Sequence, residues 1–232
     1  MLAQSDFLSS PLGKKLIDSG LYFITNPGDF LFDLHHDAMD YTPLPKDKII
    51  GIHTNLLLLA NPALVNSVCG KVALKEGRRF PQIGGYGGIW KTYLLEALTG
   101  SSESISAELS GWSAGIFIAK EVQPGTRLFA NVNYSRVSLN VAFSEPIDIV
   151  PGVLTFSSLS AGVLDTYIFT GIEHVTGAYE DKLLIAETGY GLRNNKIVAK
   201  ILLHTGLVEL GLTIYPEGLL VIHPVLNLQV KF

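Results

Sequence analysis

Cysteine is almost absent from this chain. Cys69 is the only one in 232 residues, so no disulfide closes within the chain and no thiolate metal centre can form. Charge is scarce as well, at 16% of residues against the roughly quarter that is usual in soluble domains. Mean hydropathy is +0.33, yet no uninterrupted run of about eighteen apolar residues occurs, and that excludes a membrane-spanning helix. A formal net charge of −4 with no Lys/Arg cluster leaves no electrostatic footprint for nucleic acid. No Gly-x-Ser-x-Gly, His-Glu-x-x-His or Cys-x-x-Cys motif is present, and the familiar hydrolase, zinc-protease and redox classes gain no support. Met1 to Asp6 lacks the basic start and apolar core of a secretory signal, so either a signal has been removed or the chain stays in the cytosol. No solenoid-scale repeat and no linker divides the chain, which reads as an N-terminal segment over 1–20 followed by a single β domain over 21–232.

What is abundant is alternation with a period of two. In the last stretch the even positions from Leu220 to Phe232 are apolar, while the odd ones become polar at His223, Asn227, Gln229 and Lys231. A strand sends successive side chains to opposite faces, so one face here is continuously apolar to the last residue. With Leu226, Leu228, Val230 and Phe232 at every second place, this ending resembles the closing strand of bacterial outer-membrane β-barrels. In that family the terminal aromatic and the alternate apolar residues before it form the signal read by the barrel-assembly machinery. The resemblance covers about ten residues. It implies a bacterial outer-membrane location, with lipid and the assembly machinery as partners. Pro224 departs from a regular strand because it cannot donate a ladder hydrogen bond.

Along the chain, Ser10 as N-cap, Pro11 in the first helical position and Gly20 as terminator predict a short amphipathic helix with Leu12, Leu16 and Ile17 on one face. Leu21 to Asp33 reads as apolar strand broken by a turn at Asn26 to Asp29, and His35 to Lys48 as a polar loop. Strands follow over 48–60 and 64–74, from Ile83 through the glycine-rich run Gly84 to Gly88, and then in the most strand-like region. There, apolar residues at Ile105, Ala107 and Leu109 switch phase across Gly111 to Trp112, Ala114, Ile116 and Ile118. The same switch separates Leu128 to Tyr134 from Val137 to Phe143, and Ile197 to Leu203 from Val208 to Ile214. Each switch is either a β-bulge in a long strand or a tight hairpin between short ones. Bulges give about ten strands and hairpins up to about fourteen, and bulges are favoured because Ser135-Arg136 is a poor turn. Further strands are expected over 153–159, 165–175, 182–192 and from 219 to the end. The fold class is therefore all-β, an antiparallel up-and-down transmembrane barrel with a short N-terminal helix. A sheet this long cannot remain open in lipid, and closure removes its edges.

Few residues carry possible chemistry. His35, His36, Asp37 and Asp40 are the densest group of potential ligands or acid–base residues, set against the plainer reading of a hydrated loop. His53, His174, His204 and His223 fall in strands, where pairs such as Glu173 with His174, or His204 with Lys200 or Glu209, would neutralise an interior. The glycine run lacks a nucleotide fingerprint and suggests close packing. No metal or cofactor is expected. Polar residues are thinly spread, which suits a narrow lumen lined by Asn131, Asn133, Lys200, Glu209, Asn227, Gln229 and Lys231. Three readings follow: a small channel or a structural or assembly subunit, with strand faces free to contact protein neighbours in a membrane complex; a barrel enzyme, lipid-modifying or proteolytic, using the His/Asp group; or a soluble β-barrel that binds an apolar ligand.

Overall fold

A computed structural model describes residues 35–36, 38–55, 66–92, 105–150, 154–176, 182–216 and 221–232. The expected helix over 10–20 and strand over 21–33 lie outside these residues, as does Asp37. Ten strands form one closed antiparallel barrel: β1 (Ile50–Asn55), β2 (Asn66–Ala73), β3 (Gln82–Thr92), β4 (Ile105–Gln123), β5 (Thr126–Val150), β6 (Leu154–Val175), β7 (Lys182–Gly191), β8 (Ile197–Thr205), β9 (Val208–Ile214) and β10 (Ile222–Lys231). Each pairs with its sequence neighbours, and β1 closes on β10 with Ile52 opposite Val230 and Thr54 opposite Leu228. Up-and-down order follows from short connections, since antiparallel neighbours can be joined by a two-residue turn. Pro124-Gly125 and Gly206-Leu207 are such turns, and the two glycines take φ of +74° and +58°, which a side chain would resist. These turns, the start of β1 and the end of β10 share one mouth of the barrel. The opposite ends of the strands form the other mouth.

The sorting of side chains is inverted relative to a water-soluble domain. Ile116 and Ile89 are two-thirds exposed, and with Ile52, Val68, Ile118, Val132, Ile201 and Leu212 they form an apolar outer band around the sheet. The alternate positions point inward and include Asn133 and Glu209, both 0% exposed, together with Lys71, Arg127, Glu187 and Lys200. Strand pleating alone produces this two-sided order. The short-turn mouth and the opposite one are joined by β3, β7, β8 and β10, which are 11, 10, 9 and 10 residues long.

The phase switches have another origin than bulges. On β4 the pairing to both neighbours runs through Gly111 without a register shift, and on β5 it runs unbroken through Arg136. The side-chain alternation never changes; the chemistry does. Towards the short-turn mouth β5 is apolar outside (Leu128, Val132, Tyr134) and polar inside (Asn131, Asn133, Ser135). Beyond it, Val137 is buried on the inner side while Arg136 and Asn140 are exposed. Trp112 and Arg136 are directly paired, so both strands change at one height. The third switch is a true hairpin, at Gly206-Leu207. β4, β5 and β6 continue past the ends of their outer neighbours, with β3 pairing β4 only from Leu109 and β7 pairing β6 only from Tyr167. The two segments expected over 153–159 and 165–175 are thus one strand, β6.

Candidate functional site

The barrel is not hollow. The chain just before β1 passes through it, and His35, His36, Ala38, Met39, Asp40, Tyr41, Thr42 and Leu44 are all at most 2% exposed. The expected hydrated loop is therefore an interior segment. Its polar residues are sheltered because the wall around it is polar, which composition alone could not indicate.

That wall has two characters. On β3 to β6 it is largely aromatic: Tyr86, Trp90, Phe117, Phe129, Tyr167 and Phe169 are buried. Each of these rings sits directly across from a glycine of the neighbouring strand, at Gly115, Gly111, Gly84, Gly171, Gly191 and Gly189 respectively. A Cβ on Gly84, Gly115, Gly171 or Gly189 would lie 2.3–2.5 Å from the ring. In the glycine run of β3, Gly84 thus makes room for the Phe117 ring of the next strand and Gly88 for Met39 of the interior segment, and rings lying over glycines are a known way of covering bare backbone in sheets. Onto this wall Tyr41 stacks against Phe169 at 4.9 Å, His36 meets the Tyr167 ring edge-on at 4.1 Å, and Trp90 Nε1 donates to His35 Nδ1 at 2.5 Å.

On β7 to β10, β1 and β2 the wall is mixed, with polar groups set among the buried Ile185, Val198, Leu202 and Val225. The Lys71 ammonium donates to the Asp40 carboxylate, to Thr42 O at 2.5 Å and to Thr42 Oγ1 at 3.3 Å. Asp40 Oδ1 also accepts from the Thr42 amide (2.9 Å) and hydroxyl (2.7 Å), which shapes the segment into a knuckle around the ion pair. Lys200 donates to His36 O at 3.0 Å and to Met39 O at 3.3 Å, with its ammonium 5.4 Å from the Tyr41 ring centre. Asn227 and Gln229 both donate to Glu209, at 2.7 and 3.1 Å.

Near the short-turn mouth Arg127 organises the exit. It donates to Glu173 at 2.6 Å, Glu76 at 3.1 Å, Gln82 at 2.8 Å and Leu44 O at 3.0 Å. A planar guanidinium with five fixed donors suits such convergence. Outside it lies a cavity of about 480 Å³ whose lining includes Pro45, Lys46, Glu121, His204 and Lys231. At this rim the Gly125 amide, 3.0 Å from Glu121 Oε1, holds the Glu121 carboxyl below its ordinary value against the opposing effect of burial, with the Lys46 ammonium adding to the lowering.

Of the residues singled out from sequence, Asn131, Asn133, Lys200, Glu209, Asn227 and Gln229 are buried facing the interior, and Lys231 faces the cavity at the mouth. Leu226, Leu228, Val230 and Phe232 share the outer face, Phe232 being 63% exposed. His35, His36 and Asp40 come together inside, but Asp40 is engaged by Lys71 rather than by a histidine. Glu173 and His174 do not pair. Adjacent in a strand, they face opposite ways, so Glu173 meets Arg127 while His174 reaches Thr126 outside, at 2.9 Å. His204 lies opposite Glu209 in the ladder, but its ring meets Gln229 at 2.6 Å. Among the described residues no three His, Cys, Asp or Glu side chains converge as a metal site. Sequence reasoning passed over Lys71, Arg127, Glu187 and the aromatic wall. Single charges inside apolar runs, and aromatics spaced by two such as Tyr167 and Phe169, were their only trace. No family model, curated protein or solved structure matches the chain.

Proposed function

We propose that this chain is an outer-membrane β-barrel of a Gram-negative bacterium, inserted in lipid and closed internally by its own segment. The observation that carries this reading is the inverted sorting of side chains together with its reversal at one height. An apolar band outside and charged groups inside suit hydrocarbon around the sheet. Where β4 and β5 pass Trp112 and Arg136, the order returns to apolar within and polar without, as expected of strands that leave the bilayer for water. Strands of about 9–11 residues suit the span, and β3, β7, β8 and β10 have that length. Trp112, Tyr134 and Tyr190, exposed near the edge of the band, suit an interfacial girdle.

The two-residue turns at 124–125 and 206–207, together at one mouth, further support this family resemblance. They favour the short-turn mouth as periplasmic. The outward Leu226, Leu228, Val230 and Phe232 remain available as the assembly signal on the closing strand. An enzyme using His35, His36 and Asp40 is disfavoured, because Asp40 is committed to Lys71 and the group is sealed within the wall. A soluble barrel around an apolar ligand is disfavoured by a charged interior. The test is extraction and electrophoresis. Protein from an outer-membrane fraction should require detergent for release and should migrate faster unboiled than boiled. Release in plain buffer, with one mobility in both states, rules the proposal out.

A further inference from the structure

The mixed wall carries more hydrogen-bonding groups than the interior segment uses. The segment engages Lys71 and Lys200, but on this side both Glu187 carboxylate oxygens, both His53 ring nitrogens, Thr213 Oγ1 and Asn227 Oδ1 are buried with no hydrogen-bond partner among the described residues. Ser113 Oγ and Asn133 Oδ1 on the aromatic side lack partners too. Glu187 is 4.0 Å from the Lys200 ammonium, outside hydrogen-bonding range. Buried polar groups in native proteins are ordinarily satisfied, and a wall made only to hold a permanent filling would be apolar where the filling offers nothing. Glu187, Thr213, Asn227 and His53 sit on β7, β9, β10 and β1, in one contiguous arc of the barrel. The same arc continues through His204 and Lys231 to the cavity at the short-turn mouth. Inward-facing cations (Lys71, Arg127, Lys200, Lys231) and carboxylates (Glu121, Asp165, Glu173, Glu187, Glu209) are nearly equal in number among the described residues. Such a wall can be wetted without a large unpaired field.

Resting on the membrane reading above, we propose that residues 38–45 are a displaceable plug, and that the polar arc becomes a water-filled path for small hydrophilic solutes when the plug withdraws. Among the described residues the plug's polar tethers are the Asp40–Lys71 pair with Thr42, the Lys200 bonds to His36 O and Met39 O, the Asn131 bond to Tyr41 O, the Arg127 bond to Leu44 O and the Gln82 bond to Pro45 O. Nearly balanced wall charge makes the path weakly selective between cations and anions.

The lone cysteine reports on this motion. Cys69 faces inward, is 0% exposed and lies against the plug, its sulfur 3.8 Å from Asp40 O. A charged, membrane-impermeant thiosulfonate can reach it only from the lumen. The full chain in uncharged detergent is treated with that reagent, comparing wild type with Asp40→Asn and with the milder Thr42→Val. Faster unboiled migration serves as the check that each barrel is intact. Asp40→Asn should speed Cys69 labelling at least tenfold and Thr42→Val by less, and Asp40→Asn should produce potassium chloride conductance in planar bilayers that wild type lacks. Unchanged labelling in intact barrels of both variants overturns the plug, and labelling that rises without conductance overturns the path. Loss of the mobility shift in wild type itself would instead refute the membrane reading.

Discussion

Asp40 and Lys71 illustrate how single residues hold the interior. Both side chains are almost wholly sealed from solvent, 1% and 2% exposed, so removing one charge strands the other. Truncating one partner of a buried pair costs about 3–5 kcal/mol. Lys71→Met should therefore lower the denaturant midpoint of the folded barrel by that order, while Lys71→Met combined with Asp40→Leu should recover much of the loss. Urea titration in detergent, followed by tryptophan fluorescence, measures both. Gly88 makes a different point at the same scale. A Cβ there would meet Met39 Cε at 2.4 Å, Val68 O at 2.8 Å and the Cys69 Cα at 3.0 Å. Because two of these atoms are backbone, Gly88→Ala cannot be accommodated by a rotamer change and should destabilise by about 1–3 kcal/mol. Gly70, with nothing within 4 Å of its Cβ position, is the control, and Gly70→Ala should leave the midpoint close to wild type.

Elements are separated by which face meets what. The outward side of β4 carries Trp112, Ile116 and Ile118, and its inward side carries Ser113, Phe117 and Ala119. In transmembrane β-barrels an arginine at mid-membrane on the lipid face costs about 2–4 kcal/mol, and on the proposed membrane reading Ile116 stands at such a place. Ile116→Arg should accordingly reduce the yield of heat-modifiable protein, whereas Lys91→Gln should not. Lys91 lies near the edge of the band, 3.4 Å from Glu108 in a half-exposed pair, and such pairs contribute little. On β10, Phe232→Ser removes the terminal aromatic from the outer face while leaving the ladder bonds of Phe232, to Ile49, Ile50 and the Ile50 carbonyl, in the backbone. Assembly should therefore slow in cells, measured as pulse-labelled protein reaching the folded band, with a smaller effect on the stability of purified barrel.

At the scale of the whole molecule, an all-β sheet with one apolar and one polar face follows from alternation that is plain in the chain, whereas the count of ten strands needed the pairing register. Period-two patterning determined that the structure is all-β, that Asn131, Asn133, Lys200, Glu209, Asn227 and Gln229 share one side, and that Leu226 to Phe232 share the other, because side-chain direction in a strand depends only on the parity of position. Parity cannot say what fills the space enclosed. Lys200 meets Met39 across 161 positions and Arg127 meets Leu44 across 83, and no local pattern encodes such partners. The phase switches at Gly111 and Ser135 were legible as changes of chemistry but not of cause, since only cross-strand register puts Trp112 beside Arg136 and reveals a common height. The plug, the aromatic floor of glycines and the polar arc were decided by tertiary structure alone: each exists where strands distant in sequence turn the same parity toward one shared axis.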